Sequence, residues 1–311
     1  MTSAVVCAYH DVGVRCLSVL LAHGVDVRLV LTHEDSPGEQ IWFDSVAQLA
    51  ARHDIPCLKP ANPNSPEIIA RVRAAAPDFL FSFYYRSMLG SELLAAPKRA
   101  ALNMHGSLLP KYRGRVPVNW AIIRGEKETG ATLHHMALKP DAGNLVDQQA
   151  VPILPDDLAI DVFRKVVVAA EICLDRSIPR LIDGTAASTP LDLARGSYFG
   201  GRKAEDGVID WSQPAQQIHN LVRAVAPPYP GASTRAGDMD LLLFRTRLLA
   251  GQRGTHTAPT LYSDQGHVYA QAGDGGVLRV FEVALGGTPL PIDALAVRLA
   301  GRTLPLPCAS R

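Results

Sequence analysis

The chain has 311 residues, of which 47% are hydrophobic and 20% charged, and its formal net charge is +1. These values are typical of a soluble globular protein large enough for two domains, and the small net charge argues against a general polyanion binder. No apolar run reaches the roughly 18 residues of a membrane helix, and the first residues lack the pattern of a signal peptide. The five cysteines show no CxxC spacing. We therefore expect a cytoplasmic protein with reduced thiols, without membrane insertion and without a metal site.

The first 110 residues alternate short apolar runs with helix-like segments. The apolar runs, which are typical of strands buried on both faces, cover residues 4–9, 27–33, 55–58, 78–85 and 101–105. Strands that alternate with helices of about ten residues predict βαβ units and therefore a parallel, Rossmann-like α/β sheet. Such sheets bind ligands at the carboxyl ends of their strands, so the residues that end each strand are candidates for the functional site.

The pattern changes after residue 125. Two extended segments follow, at 129–138 and 144–154, and the turn-rich sequence KPDAG (139–143) joins them. An amphipathic helix is then predicted over residues 160–182. This arrangement adds two further strands and a long covering helix to the first part of the chain.

A segment with Pro and Gly around residues 190–202 predicts a linker. The remaining chain holds one helix and several β-like runs separated by glycines, which is the pattern of a small, barrel-like β domain. We therefore expect a catalytic domain over residues 1–203 and a smaller C-terminal β-rich domain over residues 204–311.

Asn103 and His105 end the last of the predicted parallel strands. They are two residues apart, so their side chains project from the same face of the strand. An amide and an imidazole together can stabilise a developing oxyanion and move a proton near neutral pH. Asp141, in the KPDAG turn, is a candidate for the group that sets the charge of the histidine, because a turn can return to a strand end. By themselves these residues also fit a hydrogen-bonded structural pair.

Residues 103–143, NMHGSLLPKYRGRVPVNWAIIRGEKETGATLHHMALKPDAG, closely resemble the signature of the 10-formyltetrahydrofolate-dependent formyltransferases. The Asn-x-His pair, the GSLLPKYRG run and the distant DAG occur in the order of that family without a gap. The resemblance implies transfer of a formyl group from 10-formyltetrahydrofolate, as co-substrate, by a Rossmann-like domain with a smaller β-rich domain behind it. It also implies that Asn103 and His105 polarise the formyl group and hold the tetrahedral intermediate, while Asp141 raises the pKa of His105.

The same resemblance implies three places at which the folate binds. They are the loop after the strand that ends near residue 85, one arginine of the GSLLPKYRGR segment, and the residues just before Asp141. The implied residues are Ser87, Met88, Leu89, Arg115, Ala137, Leu138, Lys139 and Pro140. Backbone groups would hold most of the pterin ring, which agrees with the lack of a side-chain signature in these loops.

Three further segments resemble the branch of the family that formylates UDP-4-amino-4-deoxy-L-arabinose for lipid A modification and polymyxin resistance. They are CAYHDVG (7–13), SPGEQ (36–40) and FGGRKAEDGVIDW (199–211). In that branch a decarboxylase domain follows the formyltransferase, and this chain ends where that domain would start. The resemblance therefore implies a stand-alone enzyme acting on a UDP-amino-sugar, with room for a separate decarboxylase as partner.

Other acceptors and roles stay open at this point: methionyl-tRNA, another nucleotide-linked amino sugar, or a non-catalytic folate or nucleotide sensor. Charge favours the sugar over the nucleic acid. Residues 205–311 contain nine arginines, no lysine and nine acidic residues, so their formal charge is zero, whereas a tRNA-binding domain must neutralise several phosphates. A diphosphate needs only one or two cations, for which Arg115, Arg202 and Arg223 are candidates.

Several other polar residues have a structural interpretation beside a functional one. Lys111 and Arg113, like Arg115, fit a solvated loop as well as a binding loop. His134 and His135 lie in an extended segment without the spacing of metal ligands, and we expect both to be structural.

Overall fold

The computed structural model describes residues 1–36 and 41–308 of the chain, so most of the SPGEQ segment lies outside the described residues. The chain divides into two compact units. Unit 1 contains Met1–Pro117, Glu128–Pro152 and Phe163–Gly200. Unit 2 contains Val118–Lys127, Ile153–Val162 and the chain from Gly201 onward. The domain boundary between residues 203 and 204 stays a prediction. The two short early segments of unit 2 carry no sequence pattern that sets them apart from their neighbours.

The strands of unit 1 are β1 (Ser3–Ala8), β2 (Asp26–Leu31), β3 (Cys57–Leu58), β4 (Phe79–Phe83), β5 (Ala100–His105), β6 (Arg113–Gly114), β7 (Glu128–His135), β8 (Leu145–Pro152) and β9 (Tyr198–Phe199). Seven of them form one sheet in the order β3-β2-β1-β4-β5-β7-β8. The first five in this order pair in parallel, and β7 and β8 add to the edge in antiparallel fashion. The predicted parallel α/β sheet is confirmed.

The helices of the first 183 residues are α1 (His10–Ala22), α2 (Val46–Arg52), α3 (Pro66–Ala74), α4 (Ser91–Leu94), α5 (Pro117–Ile123) and α6 (Ala159–Asp183). Two of them begin at a serine whose side chain accepts a hydrogen bond from the first turn: Ser45 before α2 and Ser65 before α3. The helix predicted over residues 160–182 is α6, with one further residue at each end.

The core of unit 1 lies around the two central strands. Every residue of β1 and β4 is buried, as the continuous apolar runs in the sequence predict for strands covered on both faces. Helices α3 and α4 contribute Val72 and Leu93 to the cluster around Val5 and Leu80. This packing gives the carboxyl ends of β1, β4 and β5 a rigid support.

Strands β6 and β9 pair in parallel outside the main sheet. Residues 198–199 therefore do not belong to a simple linker, and that part of the linker prediction is wrong. A strand of two residues has no periodicity, so only its pairing with β6 reveals it.

Unit 2 is mostly antiparallel sheet. Its strands are β10 (Ala232–Ala236), β11 (Met239–Arg253), β12 (Thr260–Asp264), β13 (His267–Gln271), β14 (Gly276–Leu285), β15 (Thr288–Leu290) and β16 (Thr303–Pro305). They follow the order β10-β11-β14-β13-β12-β16, with β15 paired to β14. Helices α7 (Ala215–Val225) and α8 (Ile292–Arg298) accompany the sheet. The predicted C-terminal β-rich domain is confirmed.

None of the helices that the structure describes combines the length and the hydrophobicity of a membrane-spanning segment. The described residues hold no cluster of three or more His, Cys, Asp or Glu side chains that could bind a metal ion. Cys7 and Cys173 are buried free thiols, and burial raises the pKa of each to about 12. Neither thiol is therefore available as a thiolate nucleophile near neutral pH.

Candidate active site

Asn103 and His105 lie at the carboxyl end of β5, between the end of β4 on one side and β7 on the other. Their two-residue spacing places them on one face of the strand, as the sequence predicts. The side chain of His105 is buried, with 7% of the residue exposed. Its ring and the Asn103 amide are therefore held at the edge where an open α/β sheet binds its ligands.

The two ring nitrogens of His105 have different surroundings. Nε2 donates a hydrogen bond of 2.8 Å to the carbonyl oxygen of Tyr112. Nδ1 lies 3.6 Å from Oδ1 of Asp141, which is too long for a direct hydrogen bond. Because Nε2 carries the proton, Nδ1 of the neutral ring has a free lone pair. His105 is thus oriented for proton transfer through Nδ1.

The pKa of His105 is the result of opposing effects. Burial lowers it from the ordinary value, since the charged imidazolium is poorly solvated inside the protein. The carboxylate of Asp141 and the hydrogen bond to Tyr112 raise it again, but only in part. In this structure the ring is therefore a neutral base at physiological pH, beside a carboxylate that favours its protonated form.

Asp141 lies in the loop between β7 and β8, and the backbone of Asp141 has a positive φ of 49°. Oδ2 of its side chain accepts a hydrogen bond of 2.8 Å from the backbone amide of Gly114. Burial acts to raise the pKa of Asp141, but the positive charges that His105 and His134 carry when protonated, a hydrogen bond from the protonated His134 and the Gly114 amide together hold it well below its usual range. The side chain is therefore a carboxylate at any pH at which the enzyme would work.

Gly114 itself is required by this arrangement. Its φ is +99°, and a Cβ at this position would overlap the carbonyl oxygen of Phe199 on β9. The amide of the following residue, Arg115, donates to that same oxygen at 2.9 Å. The β6–β9 pair thus fixes the amide that holds Asp141.

His134 is a member of the site that the sequence interpretation did not include. It lies opposite Asn103 in the β5–β7 register and is 2% exposed. Its Nδ1 donates to the carbonyl oxygen of His135 at 2.8 Å, so Nε2 of the neutral ring accepts from the Asn103 amide at 3.1 Å. Nε2 is also 3.6 Å from Oδ1 of Asp141. Only the pairing of strands β5 and β7 brings His134 to Asn103, and no local sequence pattern predicts that pairing.

The hydrogen bond from Asn103 to His134 has a consequence for the amide. It uses one hydrogen of Nδ2 and fixes which way the side chain points. The second hydrogen stays available to a ligand oxygen atom at the carboxyl end of β5. Asn103 is thus a preorganised donor, which is the kind of group that stabilises an oxyanion.

The residues implied to bind folate fall on three segments of unit 1. In the first, Leu89 is buried in the core, whereas Met88 is 58% exposed. Asn64 holds this loop by donating to the carbonyl oxygen of Met88 and accepting from the amide of Gly90. Ser87 directly precedes Met88 and is half-buried. Leu89 has its side chain in the core, so only its backbone is available to a ligand.

The other implied folate residues lie close to Asp141 along the chain. Arg115 is exposed and follows β6 directly. Ala137, Leu138 and Lys139 are exposed, and Pro140 is half-buried, in the loop that ends at Asp141. Their roles stay predictions, although the loops of Arg115 and Asp141 meet at the Gly114–Asp141 hydrogen bond.

Arg223 is not available for a ligand phosphate. It is buried, and its guanidinium donates to Oδ1 of Asn220 and to the carbonyl oxygens of Leu154 and Asp157. Arg202 differs, because one of its nitrogens donates to the carbonyl oxygen of Asp206 while Nε is buried without a partner among the described residues. The suggestion of Arg223 as a phosphate-binding residue is therefore wrong, since its donors already hold the backbone of unit 2.

Comparison with known structures identifies similar folds. An N-formyltransferase from Helicobacter canadensis, in complex with folinic acid and dTDP-3-aminofucose, is 21% identical with a TM-score of 0.70, covering 90% of this chain and 99% of that one. WlaRD, a sugar 3N-formyl transferase with dTDP and 5-N-formyl-THF, is 19% identical with a TM-score of 0.70, covering 90% and 97%. HypX from Aquifex aeolicus, in complex with tetrahydrofolic acid, is 18% identical with a TM-score of 0.63, covering 96% of this chain and 46% of that one.

Family models account for most of the sequence. The model described as formyl transferase matches residues 16–178, which is more than half of the chain and contains the whole Asn103, His105, His134 and Asp141 cluster. The model described as formyl transferase, C-terminal domain, matches residues 202–298. The chain therefore belongs to the formyl transferase family and is a formyltransferase enzyme.

Proposed function

We propose that this formyltransferase moves the formyl group of 10-formyltetrahydrofolate to the amine of a nucleotide-linked amino sugar. The observation that carries the proposal is the convergence of Asn103, His105 and Asp141 on the carboxyl end of β5, with a free donor hydrogen on Asn103 and a free lone pair on Nδ1 of His105. An acyl transfer to an amine requires one group for the oxyanion and one for the proton.

The donor supplies an activated one-carbon unit whose carbonyl carbon is attacked by the acceptor amine. Asn103 donates its second Nδ2 hydrogen to the formyl oxygen as negative charge develops there. His105 takes a proton from the attacking amine at Nδ1 and gives it to the leaving N10 nitrogen, so that one C–N bond forms and one breaks without net proton loss. Asp141 stabilises the intervening imidazolium, and His134 orients Asn103.

The folate would bind beside this group of residues. We assign its contacts to Ser87, Met88 and Leu89 after β4, to Arg115, and to Ala137, Leu138, Lys139 and Pro140 before Asp141. The loops that follow β6 and β7 meet through the Gly114–Asp141 hydrogen bond, which supports a shared role. The Helicobacter canadensis protein and WlaRD, both with the same fold, carry folinic acid and 5-N-formyl-THF.

A sugar nucleotide fits the acceptor side better than a nucleic acid does. The zero formal charge of residues 205–311 supplies no excess of cations for a tRNA backbone. The two sugar enzymes of similar fold carry dTDP-3-aminofucose and dTDP. Within this class we propose UDP-4-amino-4-deoxy-L-arabinose, which would place the enzyme in lipid A modification. The support is the resemblance of residues 7–13 and 199–211 to that branch.

The test is an acceptor panel. The purified chain is incubated with 10-formyltetrahydrofolate and UDP-4-amino-4-deoxy-L-arabinose, several dTDP-amino-sugars, or methionyl initiator tRNA, and N-formyl products are measured by mass spectrometry. We expect the fastest turnover with the UDP sugar and none with tRNA at physiological salt. His105→Ala is the control that identifies uncatalysed formylation. Rapid formylation of the tRNA would overturn the sugar assignment.

A further inference from the structure

Arg113 is a buried cation that no residue in the described part of the chain neutralises. Only 8% of the residue is exposed. Its Nε and Nη1 are buried without a hydrogen-bond partner. Neither of these two nitrogens therefore has an acceptor within residues 1–36 and 41–308. A buried guanidinium in this state is costly unless an anion joins it.

Both chain neighbours of Arg113 form hydrogen bonds with residues of the proposed catalytic cluster. The carbonyl oxygen of the preceding residue, Tyr112, accepts the hydrogen bond from His105, and the amide of the following residue, Gly114, donates to Asp141. The peptide groups on both sides of Arg113 are thus held by the two residues that handle the proton. Its backbone amide donates in turn to the carbonyl oxygen of Ser197.

The carboxylate of Asp141, which the amide of the next residue Gly114 holds, has other partners than the Arg113 guanidinium. Asp141 already accepts from Gly114 and lies beside the rings of His105 and His134. Its charge is therefore used within the catalytic cluster. Arg113 differs in this respect from Arg223, whose guanidinium is also buried but has three protein acceptors.

We propose that Arg113 binds a phosphate group of the nucleotide-linked acceptor and so determines the specificity of the enzyme for nucleotide sugars over free amino sugars. This inference rests on the proposed function. Arginine is suited to the task because its planar guanidinium stays charged and donates several hydrogen bonds to phosphate oxygens. In a sugar nucleotide the first phosphate is one pyranose ring away from the reacting amine, so it lies near the catalytic residues. In the formyl donor the carboxylates are on the glutamate tail, beyond the benzoyl ring from the formyl group.

The experiment compares the 311-residue chain with Arg113→Gln, Arg113→Lys and, as the matched control, Lys111→Gln, which removes an exposed cation from the same loop. The Kd values for UDP, dTDP and folinic acid are measured by calorimetry. Melting temperatures are recorded with and without UDP. We expect Arg113→Gln to raise the Kd for UDP or dTDP at least about tenfold, the scale of one lost charged hydrogen bond. Arg113→Lys should lose less, and Lys111→Gln should bind as the wild type does.

Two further results separate a phosphate site from other roles. We expect the Kd for folinic acid to be unchanged in Arg113→Gln, and the ligand-free variant to melt at or above the wild-type temperature, because an uncompensated charge has been removed. Weaker binding of folinic acid with unchanged binding of the nucleotides would assign Arg113 to the glutamate carboxylate and overturn the inference. A markedly lower melting temperature of the ligand-free variant would also overturn it, by showing a structural role.

The same measurements distinguish this inference from the proposed function. If UDP binding depends on Arg113 but no nucleotide sugar is formylated, the phosphate site stands and the acceptor assignment fails. If a nucleotide sugar is formylated with a KM that does not change in Arg113→Gln, the acceptor assignment stands and the phosphate site fails.

Discussion

His105 of unit 1 and His219 of unit 2 have similar surroundings. Both rings are buried, both donate from Nε2 to a backbone carbonyl oxygen, and both have an aspartate oxygen nearby, at 3.6 Å for His105 and 3.5 Å for His219. Burial lowers the pKa of each. Burial and a neighbouring aspartate therefore do not distinguish His105 from His219.

The difference is in the second ring nitrogen. Nδ1 of His219 accepts from the hydroxyl of Thr246 at 2.9 Å, so both nitrogens of that ring have partners. Its neighbour Asp156 is 51% exposed on its side chain and also pairs with Arg247. Nδ1 of His105 has no hydrogen bond to any described residue, and its aspartate is buried and held in place by Gly114. This open hydrogen-bonding position at Nδ1 supports the catalytic role that we propose for His105.

The largest expected effect follows directly from this comparison. His105→Ala and Asn103→Ala should each lower kcat/KM by at least about a hundredfold, the usual scale for an oxyanion donor or acid–base group. His219→Ala should leave the rate per folded molecule unchanged and lower the free energy of unfolding by about 1–3 kcal/mol, because Thr246 and Pro155 lose their partner. Initial rates and chemical denaturation of the three variants check this. A His105→Ala protein that folds normally and turns over at the wild-type rate would remove the mechanism.

Asp141, beside His105, and Asp156, beside His219, should likewise differ in their effect on the rate. Asp141→Asn deletes the charge that favours the His105 imidazolium, so the pKa of His105 should fall further and the rate should drop about tenfold or more. The acid limb of the kcat/KM profile should move to lower pH. Asp156→Asn is the matched control and should change neither the rate nor the profile. NMR titration of the His105 ring provides the direct measurement. An identical titration in wild type and Asp141→Asn would show that Asp141 is not its partner.

A smaller effect is expected at His134, which positions Asn103. His134→Phe removes the acceptor of the Asn103 amide, and the loss of one such hydrogen bond, about 1–1.5 kcal/mol, corresponds to a roughly tenfold lower kcat. His134→Gln offers an amide oxygen in its place and should recover part of the rate. KM for the acceptor should change little in either variant. Equal rates for the Phe and Gln variants would argue against an orienting role.

The smallest expected effect concerns how the free energy of unfolding depends on pH. Burial lowers the pKa of His33, His105, His135 and His219 below the ordinary value of 6.5. Between the folded and unfolded pKa values the unfolded chain binds more protons, so the free energy of unfolding falls as pH decreases below about 6.5, and by at most about 1.4 kcal/mol per pH unit for each histidine.

Replacing one of these histidines tests the predicted fall in the free energy of unfolding at lower pH. His219→Gln should show a shallower loss of stability between pH 7 and pH 5 than the wild type, whereas the exposed His53→Gln variant should follow the wild-type curve. Denaturant unfolding at several pH values measures both. A wild-type protein that gains stability on acidification through this range would contradict the assignment of neutral buried histidines.

Local patterns account for a large part of the fold and for three of the four residues of the site, all except His134. The buried runs at residues 4–9 and 78–85 correspond to β1 and β4, and the helix predicted over 160–182 corresponds to α6, because burial on both faces and the helical period leave clear marks in a sequence. The motif around residues 103–143 identifies the family through a resemblance that the family models confirm. Strand β9, in contrast, is too short to leave any mark.

The sequence by itself determined which residue types are available for the chemistry and which strand presents Asn103 and His105. Only the tertiary structure decided which of its polar residues act together. The antiparallel pairing of β5 with β7 places His134 against Asn103, and the β6–β9 pair fixes the Gly114 amide that holds Asp141. Among the described residues, the tertiary structure also leaves Nε and Nη1 of the buried Arg113 without a hydrogen-bond acceptor, while the guanidinium of Arg223 has three acceptors. Hydrogen-bond partners and burial depend on residues distant in the chain, so no local pattern contains them.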